Sequence, residues 1–407
     1  MKRLICSVSL PLIFLSACAT QPQQTQVNIL SSPAKINSSL SRLYTSDTGE
    51  VYLSWVEENT SNKTAQLLYS TLNDGKWSSP ISVSSGKNWF VNWADYPSII
   101  AENDRLAAHW LQKNPGGKYD YDVKVSFSNS NGQQWSDPFT PHTDGISAEH
   151  GFVSMLPMAN QQTFITWLDG RFTKTGHGED NHSHGHGGGA MTLRAGIFDN
   201  RSNTVDEWEL DHRVCDCCQT SAAITDKGPI VAFRDRSKEE IRDISVVRYV
   251  DNKWTQPVSV HNDNWKIEGC PVNGPAITAD DNHVAVAWFT MNTDVPQVKL
   301  AISQDSGETF AAPAIVSAGK TMGRVGVTTL DSGDIVISWM DNSGELAQIM
   351  AAKYSPEGKL LNKVTVTEIP AARSTGFPSI AASGNNVYLS WTQVGESNQV
   401  KTAQALL

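Results

Sequence analysis

The densest chemistry in this chain is a group of four cysteines. Cys215, Cys217 and Cys218 fall inside the stretch from Arg213 to Thr220, RVCDCCQT, and Cys270 lies in GCPVNG, from Gly269 to Gly274. Two readings of these thiols stand open. In an exported protein an even number of cysteines is the pattern of a disulfide framework, for instance a bridge from Cys270 to Cys217 or Cys218. Thiolates clustered this closely also suit copper(I) or zinc, which favour soft sulfur ligands. A cysteine nucleophile is the weaker option, because an exported thiolate without a paired base oxidises. Histidines extend the metal reading: His150 and His212 are further candidate ligands, and His177, His182, His184 and His186 form a glycine-histidine tract. Such tracts are a compositional metal signal, and equally the mark of a surface loop that takes up metals weakly.

Compartment bears on all of this. The chain opens with Lys2 and Arg3 and then an apolar run, an export signal over residues 1–17. Leu15-Ser16-Ala17-Cys18 resembles a bacterial lipobox. That resemblance implies a diacylated Cys18 at the mature N-terminus, a linker over 18–25, and a body tethered to the cell envelope by its lipid. Ala19 after the cysteine implies the outer membrane by the same likeness. No later segment reaches the roughly 18 apolar residues of a membrane span. Without the signal the chain holds 30 basic and 42 acidic residues, a net charge of −12, which argues against a nucleic-acid partner. A monomer is expected.

The elements that must carry these residues repeat. Alternating apolar segments end on a large aromatic at Trp55, Trp110, Trp167, Phe233, Trp288, Trp339 and Trp391, at spacings of 55, 57, 66, 55, 51 and 52. The period and the short strands with turn residues between them predict an all-β protein, a β-propeller of seven four-stranded blades in one domain over 26–407. The longest spacing holds an insertion at about 172–191, which carries the histidine tract. The last repeat ends after its third strand, and Val27 to Pro33 reads as the missing fourth, so the N-terminus is expected to close the ring.

Ser303 to Phe310, SQDSGETF, and the weaker Ser128 to Trp135, SNSNGQQW, resemble the Asp-box, or BNR repeat, of sialidases and related propellers. The likeness implies a turn between third and fourth strands, on the face opposite the active site, and sets a six-bladed sialidase fold beside the seven-bladed reading. The loops entering first strands and leaving second strands then share the upper face. They carry Asp95, Tyr96, His150, Arg171, Cys217, Cys218, Arg234, Arg236, Cys270, Arg324 and Arg373. In sialidases three arginines hold the substrate carboxylate, a tyrosine assisted by a glutamate is the nucleophile, and an aspartate is the acid/base. By type, Arg171, Arg234, Arg236, Arg324 and Arg373 suit an anion, since a guanidinium fork matches a carboxylate. The likeness makes Asp95 the candidate acid/base and Tyr96 the candidate phenol. The family's Arg-Ile-Pro motif is missing, with Ser41-Arg42-Leu43-Tyr44 in its region. The expected function is therefore an envelope lipoprotein that binds copper or zinc, an anionic ligand, or both. A glycoside hydrolase on acidic glycans and a disulfide-stapled interaction scaffold are the alternatives.

Overall fold

A computed structural model describes residues 26–174 and 189–407. Cys18 and His177, His182, His184 and His186 lie outside the described residues. The rest forms seven antiparallel blades around one axis, with a single short 3-10 helix, Arg373–Thr375, among the described residues. The first blade runs Ser38–Thr45, Val51–Asn59, Thr64–Asn73 and Ile81–Lys87, with Lys76–Trp77 as an extra two-residue strand. The second has Ser98–Glu102, Arg105–Lys113 and Tyr121–Ser128, and its outer position is marked by a bridge from Val125 to Phe139. The third holds His150–Met158, Gln162–Asp169, Met191–Phe198 and Thr204–Val214.

Blade four runs Ser221–Thr225, Gly228–Arg234, Ile244–Val250 and Val258–Ser259, with the extra strand Lys253–Trp254. Blade five is Ala276–Asp280, His283–Thr290, Gln297–Ser303 and Ala314–Ala318. Blade six is Thr321–Thr329, Ile335–Asn342, Leu346–Tyr354 and Leu360–Pro370. The seventh takes Ser379–Ser383, Asn386–Gln393 and Gln399–Leu406 from the C-terminus and Gln26–Leu30 from the N-terminus. Gln26 pairs with Leu406 and Leu30 with Thr402, so the ring is closed by its own first strand, as expected from the repeat count. Closure removes an unpaired edge that would otherwise template association.

Alternation in the second strands places every repeat aromatic in the core: all seven, from Trp55 to Trp391, are at most 3% exposed. The core is divided between blades. Val298 and Leu300 of the fifth pack with Ile337 and Trp339 of the sixth, a pattern in which each blade buries a face against the next. Several indoles also find a polar partner. Trp55 Nε1 donates to Glu57, Trp167 to Asp169 and Trp339 to Asp341, each two residues on in the same strand. The turn beginning at Ser303 is tied by its own side chains: Gly307 N donates to Ser303 Oγ at 2.9 Å and Thr309 N to Asp305 Oδ1 at 2.9 Å. Gly307 sits at φ +80°, and a Cβ there would collide with Ile230 Cδ1 of the neighbouring blade. Ser128 repeats the arrangement by accepting from Gly132 N at 2.9 Å.

Candidate functional site

A cavity of about 680 Å³ opens where first strands begin and second strands end. Its wall includes Asp95, Tyr121, Glu149, Asp216, Cys217 and Cys270, together with Arg213, Arg236, Arg242 and Arg373. Of the residues expected at the upper face, Asp95, Arg236, Arg373, Cys217 and Cys270 line it. Tyr96, Arg171, Arg234 and Arg324 are held outside that wall by other contacts. Arg42 lies 4.4 Å over the Tyr96 ring. Arg234 is 2% exposed and spends its donors on backbone carbonyls: Asn273 O at 2.8 and 2.9 Å, Arg242 O at 2.6 Å and Phe289 O at 2.7 Å. Arg324 binds Thr375 Oγ1 at 2.6 Å and Gly376 O at 2.8 Å, with Trp93 beneath its guanidinium at 5.1 Å. Arg171 is locked on Asp169 at 2.8 and 2.7 Å. His212 is turned to solvent, its side chain 81% exposed beside Asp211.

Cys215, Cys217 and Cys218 converge at the start of the fourth blade, with one sulfur from each within 4.8 Å of the others. Cys270, ahead of the first strand of the fifth blade, lies near enough to Cys217 to add to the upward push on that thiol. The disulfide staple is not formed: all four are free thiols, and the Sγ atoms of Cys215 and Cys218 stand 2.9 Å apart, against about 2.05 Å for a bonded pair. Arg242 Nη1 points at Cys215 Sγ from 3.4 Å. Burial opposes ionisation of Cys215, but hydrogen bonds from Cys217 and Cys218 and the Arg242 charge outweigh it and hold that thiol well below its usual range. Hydrogen bonding to Cys215 pushes Cys217 up, and burial followed by Cys215 does the same to Cys218. Ionisation within the cluster is therefore favoured at Cys215 over its two neighbours. A carboxylate relay fixes the arginine: Glu240 takes Arg242 at 2.7 Å and Arg236 at 2.6 Å, and Arg236 reaches Asp216 at 3.5 Å.

Across the cavity stands a buried acid set. Tyr121 Oη donates to Asp95 Oδ2 at 2.7 Å and approaches Glu149 Oε1 at 3.1 Å, while Phe152 N donates to Asp95 Oδ1 at 2.9 Å. Gly151 makes this possible, because a Cβ there would overlap Asp95 Oδ2 and the Tyr121 ring. Burial pushes Asp95 up to about 7, against the pull of its two hydrogen bonds. Burial, then the Asp95 charge, pushes Glu149 up to about 8. Burial and both carboxylates drive the Tyr121 hydroxyl above its usual range. At neutral pH the set holds a proton beside a phenol.

Tyr121 and Arg242 were not among the sequence candidates. A third strand starts on the face where its second strand ends, which was the signal that Tyr121, first in Tyr121–Ser128, faces the cavity. Arg242, two residues ahead of the third strand Ile244–Val250, carried the same positional signal, but its role depends on Cys215 meeting it in space. His150 joins the acids of the second and third blades rather than the cysteines, with His142, Asp144 and Asp169 around it.

No protein-family model matches this chain, and no curated protein matches it. Solved structures with a similar course include a protein of unknown function from Dyadobacter fermentans DSM 18053, with TM-score 0.50, 13% identity, and coverage of 94% of this chain and 98% of that one. The phage phi92 endosialidase has TM-score 0.50 at 10% identity, over 94% of this chain and 68% of that one. A sialidase from Streptococcus pneumoniae has TM-score 0.48 at 11% identity, over 94% and 92%. At these identities the likeness concerns the fold alone.

Proposed function

We propose that the upper-face cavity binds a soft metal ion, copper(I) or zinc, on Cys215, Cys217, Cys218 and Cys270, in a propeller tethered to the cell envelope through a lipid on Cys18. The observation that carries this reading is the convergence of three sulfurs within 4.8 Å around a thiol that Arg242 helps to ionise. With Zn–S near 2.3 Å, tetrahedral geometry sets sulfurs about 3.8 Å apart, so the 2.9 Å pair opens by about 1 Å on loading. Three or four thiolates on one ion leave net negative charge, and Arg242 supplies a buried countercharge. The exposed Cys270 sits at the cavity wall, where an ion or a donor molecule enters.

Anaerobic purification followed by metal analysis and thiol titration tests this directly. One equivalent of copper or zinc per chain, lost when Cys215, Cys217 and Cys218 are changed to serine, is the expected result. Four titratable thiols without metal after exposure to copper(I) or zinc would refute it. Labelling with radioactive palmitate, abolished by Cys18→Ser, tests the anchor.

A second reading has its own observation. Asp95, Tyr121 and Glu149 share hydrogen bonds in a wall that also carries Arg213, Arg236 and Arg373. A proton-holding carboxyl beside arginines suits the cleavage of an acidic glycan. Turnover of sialic-acid or uronic-acid glycosides that survives loss of the cysteines but not Asp95→Asn would favour it.

A further inference from the structure

Away from the cysteines, His142 and His150 stack face to face, ring centroids 3.7 Å apart and 5° from parallel. Both are buried, their side chains 4% and 0% exposed. Each ring has one nitrogen turned to an acid: Nδ1 of His142 lies 3.4 Å from Asp144 Oδ2, and Nε2 of His150 lies 3.2 Å from the same oxygen and 3.6 Å from Asp169 Oδ1. The other nitrogens, His142 Nε2 and His150 Nδ1, are buried with no hydrogen-bond partner. A buried imidazole nitrogen left unpaired loses its hydration with nothing in exchange. Two of them side by side call for an occupant.

The carboxylate of Asp122 supplies the third side. Its Oδ1 is 3.8 Å from His142 Nε2, and Asp122, His142 and His150 each offer a ligand atom within 4.8 Å of the other two. Asp122 is held by Asn114 Nδ2 at 2.7 Å and Lys124 Nζ at 3.4 Å. Histidines that ligate a metal characteristically donate their second ring nitrogen to a carboxylate, which fixes the tautomer and aims the ligand. Asp144 occupies that position for both rings, and Asp144 is itself steadied by Ile146 N at 2.7 Å and Arg171 at 3.4 Å. We infer that His142, His150 and Asp122 form a second metal site, for a borderline divalent transition ion such as zinc, with Asp144 and Asp169 orienting the imidazoles. Two imidazoles and one carboxylate with positions left for water or substrate is a donor set used by zinc and iron(II) alike.

The site is independent of the thiolate cluster and differs from it in ligand softness. It sits one residue from the acid set on both strands, since Asp122 follows Tyr121 and His150 follows Glu149. A bound ion would tie the second blade to the third at the point where the cavity wall is built.

The test uses zinc and cobalt(II) as probes on protein in which Cys215, Cys217, Cys218 and Cys270 are serine and His177, His182, His184 and His186 are alanine. One zinc per chain is expected by equilibrium dialysis, with a cobalt spectrum showing ligand-field bands and no sulfur-to-cobalt charge transfer. Asp122→Asn and His142→Gln, made separately and checked by near-ultraviolet circular dichroism, should each abolish stoichiometric binding. Asp144→Asn should keep the stoichiometry and weaken affinity about 10–100-fold. In the otherwise native chain, Asp122→Asn should remove one zinc equivalent and spare the thiol-dependent metal, so the result stands even if the multiple variant fails to fold. Absence of zinc binding in the folded background, or zinc retained in both single variants, would overturn the site.

Discussion

Replacing Asp95 by Asn isolates the buried proton in the cavity wall. The carboxyl is 2% exposed and burial pushes it up to about 7, so between about pH 4 and pH 7 the native state holds a proton that the unfolded chain has released. The sign follows from linkage: where the native state binds more protons, stability falls as pH rises. Its contribution is complete below the unfolded value and is lost as pH climbs to the folded one. Each pH unit in that window is worth about 1.4 kcal/mol, so the wild-type protein should lose about 3 kcal/mol from Asp95 between pH 5 and pH 8. Asn keeps the shape, accepts from Phe152 N and cannot ionise. Removing the Asp95 charge also relieves Glu149, whose own upward shift owes part of its size to that neighbour. Urea unfolding at pH 5, 6, 7 and 8 measures both proteins. The difference in unfolding free energy, variant minus wild type, should move in the variant's favour by about 3 kcal/mol across the series. Parallel profiles would refute the buried-proton account of this wall.

Three further outcomes are expected. Arg234→Met strands the carbonyls of Asn273, Arg242 and Phe289, each costing about 1 kcal/mol or more, so calorimetry should show at least about 3 kcal/mol of destabilisation. An unchanged melting temperature would contradict its placement as a strut. Arg242→Met removes the cation 3.4 Å from Cys215, and the thiolate absorbance of anaerobic protein should then emerge at higher pH; an unmoved titration would exclude the ion pair. Deleting residues 26–30 bares the edge of Gln399–Leu406, and sedimentation velocity should detect concentration-dependent self-association where the full ring sediments as before.

The fold was legible in the sequence because strand alternation and a period near 55 residues are local signals, each repeat burying one aromatic in the same way. Closure by the N-terminal strand was legible for the same reason, as a blade one strand short. That Asp95, Cys217, Cys270, Arg236 and Arg373 share one face followed from strand direction, once the Asp-box likeness had set the turns between third and fourth strands on the other. Residue type did not reveal which arginines turn into the cavity. Arg234 ends a second strand and Arg373 lies ahead of a first strand, both at the same face, yet one is buried on three carbonyls and the other is exposed at the wall. Sequence alone placed the chemistry on one mouth of a ring. Tertiary structure decided the partnerships: Arg242 with Cys215, Tyr121 between Asp95 and Glu149, and His142 against His150. Such pairings join residues from different strands and loops, many of them from different blades, and their separation in space is set by the packing of strands around the axis, which no local pattern encodes.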